Sequence, residues 1–256
     1  MSAAGLSFVT LLAYDYRYCY QAIRSCYPIA DEIILGLDAG RLTWAGKPFA
    51  IDMDEVRAFV AGIDRDRKIR IVERDFHCED APMKNETRER VLLSREAAPG
   101  NWVVQIDADE ILMNGPQFRE WLLASAPADH LVLARWITVF KAFGDQVLLI
   151  DPPGETVPVA TMARGEYVMA RFTGQPQALS PLQVLHFSWG RTPQEVRQKL
   201  DNWGHARDFD VQAFYDYWDA VTLDNYTQAR DFHPLEPAGW ASLKLATLHI
   251  ASGAQP

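Results

Sequence analysis

The stretch Trp102 to Met113, WVVQIDADEILM, decides how this chain is read. Trp102 to Ile106 is a short apolar run of the kind that forms a buried strand, and it stops at Asp107. Asp107 and Asp109 flank the small residue Ala108. Side chains at i and i+2 of an extended segment point the same way, so the two carboxylates face one place. Three acids (Asp107, Asp109 and Glu110) beside an apolar strand need partners, because unpaired buried charge costs several kcal/mol. A hard divalent cation is one partner; a loop that caps the next helix is the other. The D-x-D alone leaves both open.

Upstream, strand and helix patterns alternate. Ser7 to Leu12 is a continuous β-favouring run. From Asp15, a plausible N-cap, Cys19, Ala22, Ile23 and Cys26 recur at helical spacing until Pro28. Glu32 to Leu37 predicts a second buried strand ending at Asp38. Asp52 with Glu55 resembles a capping box ahead of Val56, Phe59, Val60 and Ile63. Lys68 to Val72 predicts a third strand, and a helix is expected from about Asn85 to Ala98, stopped by Pro99-Gly100. Short apolar strands separated by helices imply crossover connections, hence an α/β fold with a mainly parallel sheet covered on both faces. In such sheets ligands bind beyond the carboxyl ends of the strands, where Asp38 and Asp107 sit.

Downstream of Gly115-Pro116 the pattern changes. A short helix to about Ala126 is followed by strand-like runs at Leu131 to Phe140 and Gln146 to Ile150, a hairpin around Gly144-Asp145. Leu182 to Phe187 is another strand candidate. Thr192-Pro193-Gln194-Glu195 is a strong helix start, with Val196, Leu200 and Trp203 on its face. The tail, with Phe209, Phe214, Tyr215, Tyr217 and Trp218, reads as helical and aromatic, shaping an acceptor side or a homodimer contact.

Composition bounds the partners. The 256 residues carry 25 Lys+Arg against 34 Asp+Glu, a formal charge of −9. That balance argues against nucleic acid or an anionic membrane surface, which demand clustered Lys and Arg. A phosphate-bearing ligand stays open if a metal supplies local positive charge. Cys19, Cys26 and Cys78 are odd in number and form no CxxC pair, so a reduced, cytoplasmic setting is expected. No apolar run is long enough for a transmembrane segment, and Leu6 to Ala13 suits a first buried strand better than a signal peptide.

Taken in order, these features resemble the family 2 type of glycosyltransferases with the GT-A (Rossmann-like) fold. The resemblance spans roughly Leu6 to Met113: strand, Tyr14-Asp15, helix, DEIILGLD ending in Asp38, a helix with Arg88 and Arg90, then the strand into Asp107-Ala108-Asp109-Glu110. It implies a sugar transferred from a nucleotide-diphosphate donor to a carbohydrate or other hydroxyl acceptor. It also implies Tyr14 stacking on the base, Asp38 on the base or ribose, Asp107 with Asp109 holding Mn²⁺ or Mg²⁺, and Arg88 on the donor. The chain departs from the family after Asp38, where Ala39-Gly40-Arg41 and TWAGKPF look like an insertion.

Such enzymes recruit a third metal ligand far downstream, often a histidine. His186, in LQVLHFSWGR, is the candidate, and Trp189, Gly190 and Arg191 form a turn able to cover a diphosphate. The HFSWGR…KLDNWGH stretch is also reminiscent of bacterial surface-glycan transferases. An inverting enzyme needs a carboxylate base, and Glu155 in DPPGETVP is preferred over Asp151 and Glu166; a retaining enzyme would need none. His233, in DFHPLEP, has no assigned role. The expected domain plan is 1–190 for nucleotide-sugar binding and catalysis and 191–256 for a helical extension packed on it. Two other functions compete: a sugar nucleotidyltransferase, although AYDYRY lacks the basic Gly-rich loop it wants, and a non-catalytic glycan- or nucleotide-binding protein. A haloacid-dehalogenase-type phosphatase would place its D-x-D after the first strand, not the fourth.

Overall fold

The computed structural model describes residues 4–202, 204–205 and 208–248. Trp203, expected on a helix face, lies outside the described residues. The fold is α/β, as the strand–helix alternation requires. Strands β1 (Leu6–Leu12), β2 (Glu32–Asp38), β3 (Ile69–Arg74) and β4 (Trp102–Gln105) are parallel, in the order β3-β2-β1-β4. Between them run α1 (Cys19–Cys26), α2 (Met53–Ile63) and α3 (Pro82–Ser94).

Burial on both faces explains the uninterrupted apolar runs. Phe8, Leu12, Ile33, Leu35 and Val104 pack with Cys19, Ile23 and Cys26 of α1, Val56 of α2, and Phe118 and Leu122 of α4 (Gly115–Ala124). The alternate residues Val9, Ile34, Val72 and Val103 face Leu93 of α3. That packing is close at Gly36, where a Cβ would lie 2.9 Å from Leu93 Cδ2. All three cysteines are free, with Cys19 and Cys26 buried along α1.

Beyond β4 the sheet turns mostly antiparallel. β8 (Thr156–Thr161) joins β4 to the long strand β6 (Leu131–Phe143). β7 (Gln146–Asp151) pairs with β6 through the expected hairpin, and β10 (Ser242–Thr247) pairs with β7. β9 (Gln177–His186) runs parallel to β6 and carries the short strand β5 (Glu110–Leu112) antiparallel on its other side. β5, β8 and β10 were not foreseen. β5 is three residues long, β8 contains Pro158, and β10 (SLKLAT) carries Lys244 within its apolar pattern.

Several helix starts follow sequence logic. Asp52 accepts the backbone N–H groups of Asp54 and Glu55, and Thr192 and Glu195 cap each other reciprocally at α5 (Pro193–Asn202). Asp15 does not cap α1; that helix begins at Cys19, after a run of turns. α3 stops at Ser94, short of Ala98, where the Ser94 hydroxyl bonds back to the Val91 carbonyl.

Much of the aromatic tail is interior. Phe214, Tyr215 and Trp218 on α6 (Val211–Ala220) pack with Phe140, Trp189, Phe232 and Trp240. Phe209 and Tyr217 pack against this cluster and are only partly buried. Lys141, on β6, holds α6 in place: its Nζ donates to the carbonyls of Trp218, Asp219 and Val221 at 2.8, 2.9 and 2.8 Å. A buried cation thereby satisfies the exposed acceptors and negative dipole at a helix C-terminus. Lys141→Met, which keeps the stem and removes the donors, is expected to lower stability by about 2–4 kcal/mol. Urea unfolding checks this; a change below about 0.5 kcal/mol would place the capping elsewhere.

Candidate functional site

In the order β3-β2-β1-β4 the parallel sheet winds one way from β1 to β2 and the other way from β1 to β4, and that switch opens a crevice at the carboxyl ends of β1 and β4. A cleft of about 390 Å³ lies there. Its floor is Ala13 and Tyr14 after β1 and Asp107, Ala108 and Asp109 after β4. β9 brings His186 and Ser188, α5 brings Lys199, β6 brings Trp136 and Thr138, and the tail brings His233 and Trp240.

Strand register places His186. Glu110 pairs with His186 across β5 and β9, and Phe187 N–H donates to the Asp109 carbonyl at 2.9 Å. The His186 ring stacks on Trp136 with centroids 4.3 Å apart, and its Nε2 faces Asp109 Oδ1 at 3.6 Å. Burial pushes the imidazole down to about 3, so it is neutral at physiological pH. The two acids of the D-x-D differ in their partners. Asp107 Oδ1 meets Arg90 at 2.8 Å and its Oδ2 meets Arg171 at 2.7 Å. Burial alone would raise Asp107; the guanidinium groups of Arg171 and Arg90 outweigh it and hold the carboxyl well below the usual range. Asp109 Oδ2 takes Arg191 at 2.5 Å and Lys199 at 2.7 Å. Burial opposes ionisation here too, and Lys199 with Arg191 overcomes it.

These contacts test the fit of a divalent cation. Both oxygens of Asp107 are committed to guanidinium groups, so Asp107 does not fit the ligand role expected for it. Asp109 Oδ1 and the neutral His186 Nε2 do fit, as an oxygen and a nitrogen donor facing one point. Among the described residues, no group of three or more His, Cys, Asp or Glu side chains is arranged to hold a metal.

The other expected residues divide. Tyr14 lines the cleft, and Trp189 is buried in its wall. Arg191 is buried, pairs with Asp15 at 2.9 Å, and stands 4.3 Å from the Tyr18 ring centroid. Glu155 reaches the cleft; Asp151 and Glu166 are not among its lining residues. Asp38 does other work. Its Oδ1 accepts the Leu42 N–H and its Oδ2 those of Phe76 and His77, so the carboxylate ties the loops after β2 and β3 together. Arg88 is exposed on α3, donates to the Asp75 carbonyl and lies outside the cleft lining.

Sequence reading missed Trp44, Trp136, Arg171 and Lys199. Trp44 belongs to the segment read as an insertion; it lines the cleft, and the Arg90 guanidinium lies 5.3 Å from its ring centroid. Asn85 holds that segment, donating to the Trp44 carbonyl at 2.8 Å and accepting the N–H groups of Cys78 and Glu79. Arg171 lies in an irregular stretch without periodicity. Only the spacing of Lys199 from the capping Glu195, one turn on, hinted at its helix face.

No family model matches the sequence, and no curated protein matches it. Among solved structures, it is similar to glucosyl-3-phosphoglycerate synthase from Mycobacterium tuberculosis, in complex with Mn²⁺, UDP and phosphoglyceric acid. Identity is 20%, covering 54% of this chain and 44% of that one, with a TM-score of 0.33. It is also similar to S. aureus TarS, at 11% identity over 88% of this chain and 47% of that one, with a TM-score of 0.41. A third, 4-diphosphocytidyl-2C-methyl-D-erythritol synthase, matches at 8% identity over 77% and 97%, with a TM-score of 0.36. The chain spans under half the length of the first two. At these scores the likeness assigns no role to any residue.

Two outcomes test the electrostatics beneath the cleft. Asp107→Asn leaves Arg90 and Arg171 without their shared anion and is expected to cost about 3 kcal/mol or more at pH 7 by urea unfolding. Glu89 is fully buried, its carboxylate oxygens lack hydrogen-bond partners, and burial raises its pKa to about 7. A carboxyl raised on folding adds stability below its unfolded pKa and loses it as pH climbs through the folded value. Glu89→Gln is therefore expected to melt higher than the wild type at pH 8 and near it at pH 4.5. Parallel melting curves at both pH values would contradict the assignment.

Proposed function

We propose that this protein is a GT-A-type glycosyltransferase that moves a sugar from a nucleotide-diphosphate donor to a hydroxyl of a carbohydrate acceptor. The observation that carries the reading is the pairing, in one cleft, of a cation-rich floor around Asp109 with an available carboxylate, Glu155. The residues up to 190 form the donor crevice. Arg191 and Lys199, from the part of the chain after it, complete it by reaching back to Asp109.

The floor suits a diphosphate. Lys199 is 11% exposed and Arg171 6%, so each acts where water screens weakly, and each keeps donors for an incoming anion. A divalent cation of the Mn²⁺ or Mg²⁺ type would be held by Asp109 and His186 and would supply further positive charge to the leaving diphosphate. Tyr14 offers an aromatic surface for the base.

Glu155 suits a general base. Its Oε2 accepts the Thr138 hydroxyl at 3.0 Å, which fixes the carboxylate, while its backbone carbonyl accepts Trp136 N–H at 3.0 Å. Oε1 faces the cleft. It removes the acceptor hydroxyl's proton as that oxygen bonds to the anomeric carbon and the bond from that carbon to the diphosphate breaks. A single displacement of this kind inverts the anomeric centre. The nucleotidyltransferase alternative loses support from the turn after β1, where Arg17 points outward to Glu55 at 2.7 Å instead of into the cleft.

A thermal-shift screen of UDP, GDP, CMP and dTDP sugars with and without Mn²⁺ tests the reading. One donor class is expected to raise the melting temperature, since a ligand bound only by the native state stabilises it by mass action. Asp109→Asn is expected to abolish any Mn²⁺-dependent part of that shift. Stabilisation by nucleoside triphosphates with sugar phosphates, and by no nucleotide sugar, would support the nucleotidyltransferase instead.

A further inference from the structure

Within the cleft, the side chains of Glu155 and His233 face each other. Glu155 Oε1 and His233 Nε2 are 4.0 Å apart, beyond hydrogen-bond range. Each is anchored by its other polar atom. Glu155 Oε2 accepts the Thr138 hydroxyl, and His233 Nδ1 accepts the backbone N–H groups of Leu235 at 3.2 Å and Glu236 at 2.9 Å. Backbone N–H groups only donate, so Nδ1 is the unprotonated nitrogen and the neutral ring carries its proton on Nε2. Trp240 packs edge-on to the His233 ring, centroids 4.4 Å apart, and limits its rotation. Glu155 is 28% exposed and His233 17%, so both open to the cleft.

We propose that Glu155 and His233 clamp one hydroxyl of the acceptor between them, which makes His233 a second residue in direct contact with the reacting oxygen. The geometry suits a single oxygen. An atom about 2.8 Å from both Oε1 and Nε2 would see them at about 90°, close to the directions of one lone pair and one O–H bond on an alcohol oxygen. Such a hydroxyl accepts from Nε2–H and donates to Oε1, which leaves a second lone pair free for attack. The oxygen then bonds to the anomeric carbon and its proton passes to Glu155, while the electron pair of the breaking bond leaves on the diphosphate. His233 keeps its proton throughout. Its environment favours this neutral state: burial lowers its pKa and nearby His205 lowers it further, against Glu155 and Glu236, which raise it. The clamp rests on the transferase reading above, and its test separates the two.

The first arm needs no turnover. Crystals of the protein are soaked in glycerol, and the position of each hydroxyl oxygen is read against Glu155 and His233. One hydroxyl is expected about 2.8 Å from both Glu155 Oε1 and His233 Nε2, to lose that place in His233→Ala and to keep it in His233→Gln, which restores an N–H near the Nε2 position. The second arm follows nucleoside diphosphate released from the nucleotide sugar that stabilises the protein, with glycerol as acceptor. His233→Ala is expected to lower kcat by about ten-fold or more with donor KM within about two-fold, and His233→Gln to recover part of it. Glycerol bound in the cleft with no hydroxyl touching both side chains, or bound alike in His233→Ala, overturns the clamp even where donor binding is intact. Failure of every nucleotide sugar to bind, with a glycerol hydroxyl held between the two side chains, overturns the transferase reading instead.

Discussion

The structure around the cleft depends on one ion-pair system, Asp107 at the cleft surface held between the buried Arg90 and Arg171. It joins three pieces of chain that are far apart in sequence: α3, the end of β4, and the irregular segment before β9. Arg171 extends the network to Glu110 at 2.9 Å, and Trp136 Nε1 donates to the same carboxylate at 3.1 Å. A guanidinium buried between carboxylates is costly to dismantle, because removing one partner strands the other. The result is a rigid base on which Asp109, two residues on, can present one oxygen to the cleft.

That division of labour changes the meaning of the D-x-D. Read as sequence, its two acids are equivalent ligands for one cation. In the fold, Asp107 faces α3 and Arg171, while Asp109 faces β9 and α5. The acidic balance of the chain says little about this site, where Arg90, Arg171, Arg191 and Lys199 gather. Local placement of these cations, drawn from α3, the segment before β9, and α5 with the turn leading into it, makes a net charge of −9 compatible with an anionic ligand.

The central sheet was legible because its strands are buried on both faces and so read as apolar runs, from Leu6 to Leu12 and from Trp102 onward. The position of the cleft was legible for the same reason, since acids at strand ends stand out against apolar strands. His186 became visible through its place at the end of such a run, and Glu155 through its irregular surroundings. What escaped reading was pairing at a distance. Asp38 looks like a ligand residue until Leu42, Phe76 and His77 are seen to use its oxygens. Arg171 and Lys199 carry no local pattern, because their partners, Glu110 and Asp109 in the segment after β4, lie 61 and 90 positions away. The core role of the aromatic tail escaped for a related reason: Phe214, Tyr215 and Trp218 pack with residues of β6 and β10, and β10 was not foreseen.

Crystals grown with Mn²⁺ and the nucleoside diphosphate of the stabilising sugar test the central claim most directly, through the anomalous signal of the metal. The account predicts one peak touching Asp109 and His186, with the diphosphate beside Lys199 and Asp107 still bound by Arg90 and Arg171. A peak ligated by Asp107 released from those arginines, or a diphosphate bound outside the cleft, would contradict it.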